Sequence, residues 1–135
     1  MSNSKKELIK YRLERAFETY DDALLLATNK KWNSAINRLY YAAFYAVSAL
    51  ILLENQSSFT HNGVKVSFSE HFIKPGILEV FYGKLYSQLF AWRQKGDYDD
   101  LFDFDQETVL PYLDPVKKLI EKISVLIKVN LDKTP

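Results

Sequence analysis

The sequence contains no cysteine. Disulfides, thiolate nucleophiles and cysteine-based zinc sites are therefore excluded. Histidine is nearly absent too: His61 and His71 are too few for a histidine-rich metal centre, so neither a metal nor a cofactor is expected. Charge of one sign is also missing. Lys+Arg total 18 against Asp+Glu 17, a formal net charge of +1, so no global basic field exists to hold nucleic acid non-specifically. The longest apolar stretch, from Leu39 to Leu53, is interrupted by Ser48 and is shorter than the roughly 20 residues a membrane span needs. The N-terminus is charged throughout and carries no apolar signal core. The expected setting is the cytoplasm, away from membranes. No Gly-rich phosphate loop and no alternating strand pattern occurs.

Glycine and proline number four each, so the breakers divide the chain into long segments. The length, 135 residues, fits one domain spanning 1–135. From about Ser4 to Ala27, apolar residues Ile9, Leu13, Phe17, Tyr20, Leu24 and Ala27 recur at helical steps, with Ser4 as cap and Glu7 three residues on. Asn29-Lys30-Lys31 reads as a turn. A second helix spans about Asn33 to Glu54, apolar over most of its circumference, with Ala35, Ala42, Ala46 and Ala49 forming a small-residue face for a close neighbour. Thr60 to Phe72 reads as a short helix capped by Thr60. After the turn Lys74-Pro75-Gly76, a third long helix is expected from Ile77 to about Lys95, with Leu78, Phe81, Leu85, Leu89 and Trp92 inward and Gly96 ending it. The last helix runs from Asp105 to about Val129. Pro111 and Pro115 require either a kink or a restart with Asp114 as cap. The pattern predicts an all-α fold: an up-and-down antiparallel four-helix bundle with one short extra helix between helices 2 and 3.

Three places could carry chemistry. Asn37, Arg38, Tyr40 and Tyr41 sit inside the most apolar helix, where an arginine is costly unless paired or wet. Either Arg38 pairs with an acid of the first helix (Glu18, Asp21 or Asp22), or it faces a phosphate in a cleft. Arg93, with Asp97 and Tyr98 four and five residues on, closes the third long helix. It reads either as a salt-bridged helix end or as a phosphate ligand with polar companions. His61 follows the capping Thr60 and reads as structural or as an auxiliary site residue, while His71 has no companion. The acidic run Asp97, Asp99, Asp100, Asp103 and Asp105 lacks calcium-loop spacing and reads as a solvated loop.

In order along the chain stand Ala23-Leu24-Leu25-Leu26, then Trp32-Asn33-Ser34-Ala35-Ile36-Asn37-Arg38-Leu39-Tyr40-Tyr41-Ala42-Ala43-Phe44, then Thr60-His61-Asn62-Gly63-Val64, and last Arg93-Gln94-Lys95-Gly96-Asp97-Tyr98. With these segments the chain resembles the HEPN family (higher eukaryotes and prokaryotes nucleotide-binding), in its small stand-alone prokaryotic form. The resemblance implies a helical bundle that forms a homodimer with its motif helices facing each other. It also implies a minimal nucleotidyltransferase as partner, as in toxin–antitoxin or defence pairs. Nucleotide or RNA phosphate would be contacted by Asn37, Arg38, Tyr41 and Arg93. Many family members are metal-independent endoribonuclease toxins that use an Arg followed four to six residues later by a His. Here no His follows Arg93, and Asp97 and Tyr98 occupy that place. On the resemblance, Arg93 and Asp97 are the candidate catalytic residues, His61 an auxiliary one, and Tyr98 a candidate for nucleotide addition.

Overall fold

The computed structural model describes residues 2–54, 60–98 and 103–133, with 96–98 described by backbone alone. Among the described residues there are four long α-helices and one short one, and no strand. Helix α1 spans Asn3–Thr28, α2 Trp32–Leu53, α3 His61–Phe68, α4 Val80–Tyr98 and α5 Gln106–Asp132. The all-helical bundle expected from periodicity is the architecture found, with α3 as the extra element between α2 and α4.

Helix starts follow local polar chemistry. Ser2, not Ser4, caps α1, its hydroxyl accepting from the Lys5 amide at 3.1 Å. Thr60 caps α3 by accepting from the Gly63 amide at 2.9 Å, and Asp105 caps α5 by accepting from the Thr108 amide at 2.9 Å. The turn at Asn29-Lys30-Lys31 is made by Lys30 at a φ of 60°, and the turn before α4 by Gly76 at a φ of 82°. Helix α3 continues into a π-helical turn, Ser69–Ile73, closed by the Lys74 amide donating to the Ser69 carbonyl at 2.9 Å.

Helix α2 is the core of the molecule. By length and composition it could cross a membrane, contrary to the estimate from its apolar run, but 67% of its apolar window is buried inside the fold. It packs against α1, α3, α4 and α5. Ala35, Ala42, Ala46 and Ala49 are fully buried within the chain. The small-residue face is therefore not left over for a second copy. Helix α1, joined to α2 by the short turn, brings its own buried Ala16, Ala23 and Ala27 to the bundle.

Other boundaries differ from the periodic reading. Helix α4 begins at Val80 and runs through Gly96 to Tyr98, so glycine does not end it. The inward face also differs: Tyr82, Leu85, Tyr86, Leu89 and Phe90 are buried, while Phe81 is 55% exposed. On α1, Leu24 is likewise outside and Ala16 and Ala23 take inward places. Helix α5 neither stops nor restarts at its prolines. Each proline removes one ladder donor. Burial of Val109, Val116 and Leu119 on both sides holds the helix together, and the Tyr20 hydroxyl donates to the Leu113 carbonyl at 2.7 Å. Asp114 pairs with Lys118 at 3.2 Å instead of capping.

Candidate functional site

The motif helix α2 and the C-terminal half of α4 enclose a cavity of about 440 Å³. Arg38 and Arg93 both line it, with Asn33, Asn37, Trp92 and Phe104 among its walls. Two of the three sequence segments singled out for chemistry thus meet in one cleft. Asn37, Arg38 and Tyr41 lie within four residues on α2, so helical spacing alone brings their side chains together. Arg93 reaches them because α4 packs against α2.

The two guanidinium groups share one aromatic floor. The Arg38 Cζ lies 5.0 Å from the centre of the Tyr41 ring. The Arg93 Cζ lies 5.9 Å from the same ring and 5.8 Å from that of Tyr40. Such placement favours a cation through the ring quadrupole. Arg38 also donates twice to the Asn37 side-chain oxygen, from Nε at 3.1 Å and from Nη2 at 2.7 Å. Of its two sequence readings, pairing with an acid of the first helix is not what the structure shows. Glu18 pairs with Arg15 at 3.3 Å, Asp21 and Asp22 are exposed, and among the described residues no carboxylate pairs with Arg38. A neutral amide and a ring orient this guanidinium without cancelling its charge.

His61, the first residue of α3, belongs to the same neighbourhood. Its ring lies 5.8 Å from that of Tyr41, 5.7 Å from Tyr40 and 4.6 Å from Phe44. Its Nδ1 is 2.7 Å from the Tyr40 hydroxyl. Burial pushes the Tyr40 phenol up to about 12, only partly offset by Tyr86 and Arg93. Tyr40 therefore keeps its proton near neutrality, and which of the Tyr40 hydroxyl and Nδ1 donates in this bond is set by the His61 tautomer. Beneath Tyr40 lies Tyr86, its ring 5.9 Å away. The Tyr86 phenol is pushed well above its ordinary value, first by burial and then by Tyr40. Its hydroxyl is fully buried, and the Tyr40 hydroxyl is the hydrogen-bonding group beside it.

Asp97 and Tyr98 continue α4 beyond Arg93, but their side chains lie outside the described residues, as do Asp99 and Asp100. Asp103 is described: its carboxylate accepts from the Asn33 side chain at 3.0 Å. The same Asn33 accepts from the Phe104 amide at 2.7 Å. One side chain of α2 thus fastens the segment before α5 and sets Phe104 into the cavity wall, where its ring meets Trp92 at 5.8 Å. No group of three or more potential metal ligands occurs among the described residues.

Sequence reasoning named Tyr40 but missed Asn33 and Tyr86. A signal for Asn33 exists: it precedes Asn37 by four residues, so two amides form a polar line on an otherwise apolar helix. Nothing local marks Tyr86, whose role depends on α4 lying against α2.

Known proteins resemble this chain over most of its length. The model of the HEPN domain family matches residues 9–126. A UPF0332 protein of Thermotoga maritima is 41% identical over 128 residues, covering 90% of this chain and 97% of that protein. A Methanocaldococcus jannaschii protein named "Putative toxin MJ0605" is 31% identical over 124 residues, covering 87% of this chain and 92% of the relative. A second protein of that organism carrying a toxin name is 31% identical over 103 residues, 76% of this chain and 69% of its own length. With a family model spanning most of its length and full-length relatives at this identity, the chain belongs to the HEPN domain family.

Proposed function

We propose that the arginine cleft holds the phosphate of a nucleotide or of RNA, and that the chain is the HEPN subunit of a pair with a minimal nucleotidyltransferase. The observation that carries this reading is Arg38. A half-buried guanidinium normally demands a carboxylate. Here its partners are the Asn37 amide and the Tyr41 ring. Its charge stays available to an anion in a cavity that Arg93 also lines. Two guanidinium groups suit phosphate because each offers a planar fork of donors. On this reading Asn37, Arg38, Tyr41 and Arg93 are the phosphate-facing residues. The chain acts as a homodimer in the cytoplasm, and Tyr98 is the acceptor for nucleotide addition by the partner.

The deoxydinucleotide d(ApA) tests the cleft, since it offers one phosphodiester and cannot be cleaved through a 2′-hydroxyl. Calorimetric titration is expected to show binding that Arg38→Ala and Arg93→Ala each weaken about tenfold or more, the scale of a charge-assisted hydrogen bond. The melting temperature should change little in Arg93→Ala. If Arg93→Ala instead lowers stability by up to about 1 kcal/mol and leaves binding untouched, Arg93 serves only the helix end.

A second reading, a metal-independent endoribonuclease toxin, is favoured by one placement and by the toxin names of two relatives. His61 adjoins the Tyr41 ring on which both arginines lie. In that case RNA cleavage persists in chelator and is abolished by His61→Ala and by Arg93→Ala, with Asp97→Asn as the third variant to assay.

A further inference from the structure

We propose that the arginine cleft is one end of a track for single-stranded nucleic acid, which continues along α2 to Tyr45 and to Arg15 and Arg12 of α1. The proposal rests on the phosphate reading above and chooses a strand over a lone nucleotide. It starts from where arginine is used. The chain has four arginines, Arg12, Arg15, Arg38 and Arg93, against fourteen lysines. All four arginines meet α2 or belong to it. Arg38 and Arg93 both lie at the Tyr41 ring. The Arg15 Cζ is 5.3 Å from the centre of the Tyr45 ring. The Arg12 Nη1 reaches the Ser48 carbonyl at 3.5 Å. The lysines that lie over rings, Lys65, Lys117 and Lys122, use those of α4 and α1 instead.

Helix geometry puts these contacts in a line. Tyr41 and Tyr45 are about one turn apart on α2, with ring centres 6.4 Å apart. Moving three residues back along α1, from Arg15 to Arg12, moves the contact three residues on along α2, from Tyr45 to Ser48, as an antiparallel pair requires. From Arg38 to Ser48 the helix rises about 15 Å. A stacked strand advances about 3.4 Å per nucleotide, so the line is longer than one nucleotide can use. Arg12, Arg15, Arg38, Tyr41 and Tyr45 are each half-buried, held in place yet open to solvent on one side.

Guanidinium and phenol in alternation suit an unpaired strand. Each guanidinium offers a planar fork to a phosphate. A base stacks on an aromatic ring, or on a guanidinium plane laid over one. Bases in a duplex are stacked on each other, so a duplex could use the arginines but not the rings. Among the described residues Arg12 and Arg38 make no ion pair. Arg15 meets Glu18 through one nitrogen at 3.3 Å, an exposed contact within one helix and therefore a weak one that a phosphate can displace. With a net charge of only +1 the molecule has no general attraction for a polyanion, so a strand is drawn to this line and not to the surface at large.

The probes are d(ApA) and hexadeoxyadenylate, neither cleavable through a 2′-hydroxyl, titrated calorimetrically into the full chain at fixed salt. The hexamer should bind about tenfold more tightly than its several phosphodiesters give by statistics alone, the scale of one base stacked on a ring. Arg15→Ala and Tyr45→Ala should each remove most of that gain and leave the d(ApA) affinity unchanged. Tyr45→Phe keeps the ring and should keep the gain. Arg15→Ala should also lower the slope of log affinity against log salt for the hexamer by about 0.7, the share of one phosphate on a single strand. Should Tyr45→Ala fold poorly, Arg15→Ala carries the test by itself. A gain no larger than statistics, or one that Arg15→Ala leaves intact, overturns the track and leaves the phosphate reading standing. No binding of either probe overturns both. Light scattering decides the rival occupant. If Tyr45→Ala turns a dimer into a monomer while the hexamer affinity per chain is unaltered, the face belongs to a second copy and the track is overturned.

Discussion

Helix α2 shows two unlike surfaces to the rest of the molecule. One carries Ala35, Ala42, Ala46 and Ala49, all fully buried, and is met by a bundle neighbour whose buried residues include Ala16, Ala23 and Ala27. The other carries Asn37, Arg38, Tyr40 and Tyr41 and is met by His61, Tyr86 and Arg93. The first is held by shape alone: small side chains bring backbones close, and dispersion contacts accumulate. The second has to satisfy hydroxyls, an imidazole and two guanidinium groups. It does so with the Tyr40 hydroxyl placed between His61 and Tyr86. A single helix can thus be rigid on one side and chemically available on the other. The same backbone that fixes the packing also fixes the position of Arg38 in the cleft.

The largest effect is expected on the packed side. Ala46→Leu adds three heavy atoms at a position with no exposed surface. Overpacking there should cost about 1–3 kcal/mol, read as a lower midpoint in thermal or denaturant melts. An unchanged melt would mean that α1 and α2 are not closely packed at this level, and the contrast between the two surfaces would fail.

The contrast also explains what could be read without coordinates. Periodicity located all four long helices and the capping Thr60, because apolar spacing and caps are local properties. It misjudged Phe81 and Leu24, since a stripe of apolar residues does not say which edge of the stripe a neighbour covers. It placed a helix end at Gly96 on conformational preference alone, whereas α4 runs through to Tyr98. It gave the alanine face a close neighbour without saying which, because burial within the chain is a tertiary fact. For the site, the family motifs named Arg38 and Arg93, and their shared cavity follows from α4 packing on α2. Asn33 and Tyr86 escaped notice because their partners, Phe104 and Tyr40, stand 71 and 46 residues away in the chain.

On the polar side a smaller loss is expected. Tyr40→Phe deletes the hydroxyl bonded to His61 Nδ1, a 2.7 Å bond between a fully buried residue and a partly buried ring. Removing one such bond should cost about 1 kcal/mol, seen as a modest drop in denaturation midpoint. The ring contacts with Tyr41, Phe44 and Phe90 survive the change, so the packing itself is not in question. A loss as large as that of Ala46→Leu would mean that the polar side is as tightly determined as the packed one.

Tyr86→Phe should have the smallest effect, and it sharpens the comparison most. Both tyrosines are fully buried and their rings are 5.9 Å apart, so the two substitutions remove the same atom from nearly the same place. They differ in what that atom does. The Tyr40 hydroxyl makes a short bond to His61, while the Tyr86 hydroxyl is buried beside Tyr40 in poor hydrogen-bonding geometry. Deleting the latter removes a desolvation cost that a poor bond offsets little, so the stability of Tyr86→Phe should be close to that of wild type. Equal destabilisation by both substitutions would show that the Tyr86 hydroxyl already has a bonding partner in solution. A neutral Tyr86→Phe beside a destabilising Tyr40→Phe would mean that the short bond to His61, and not the inner hydroxyl, carries the stability of the polar side.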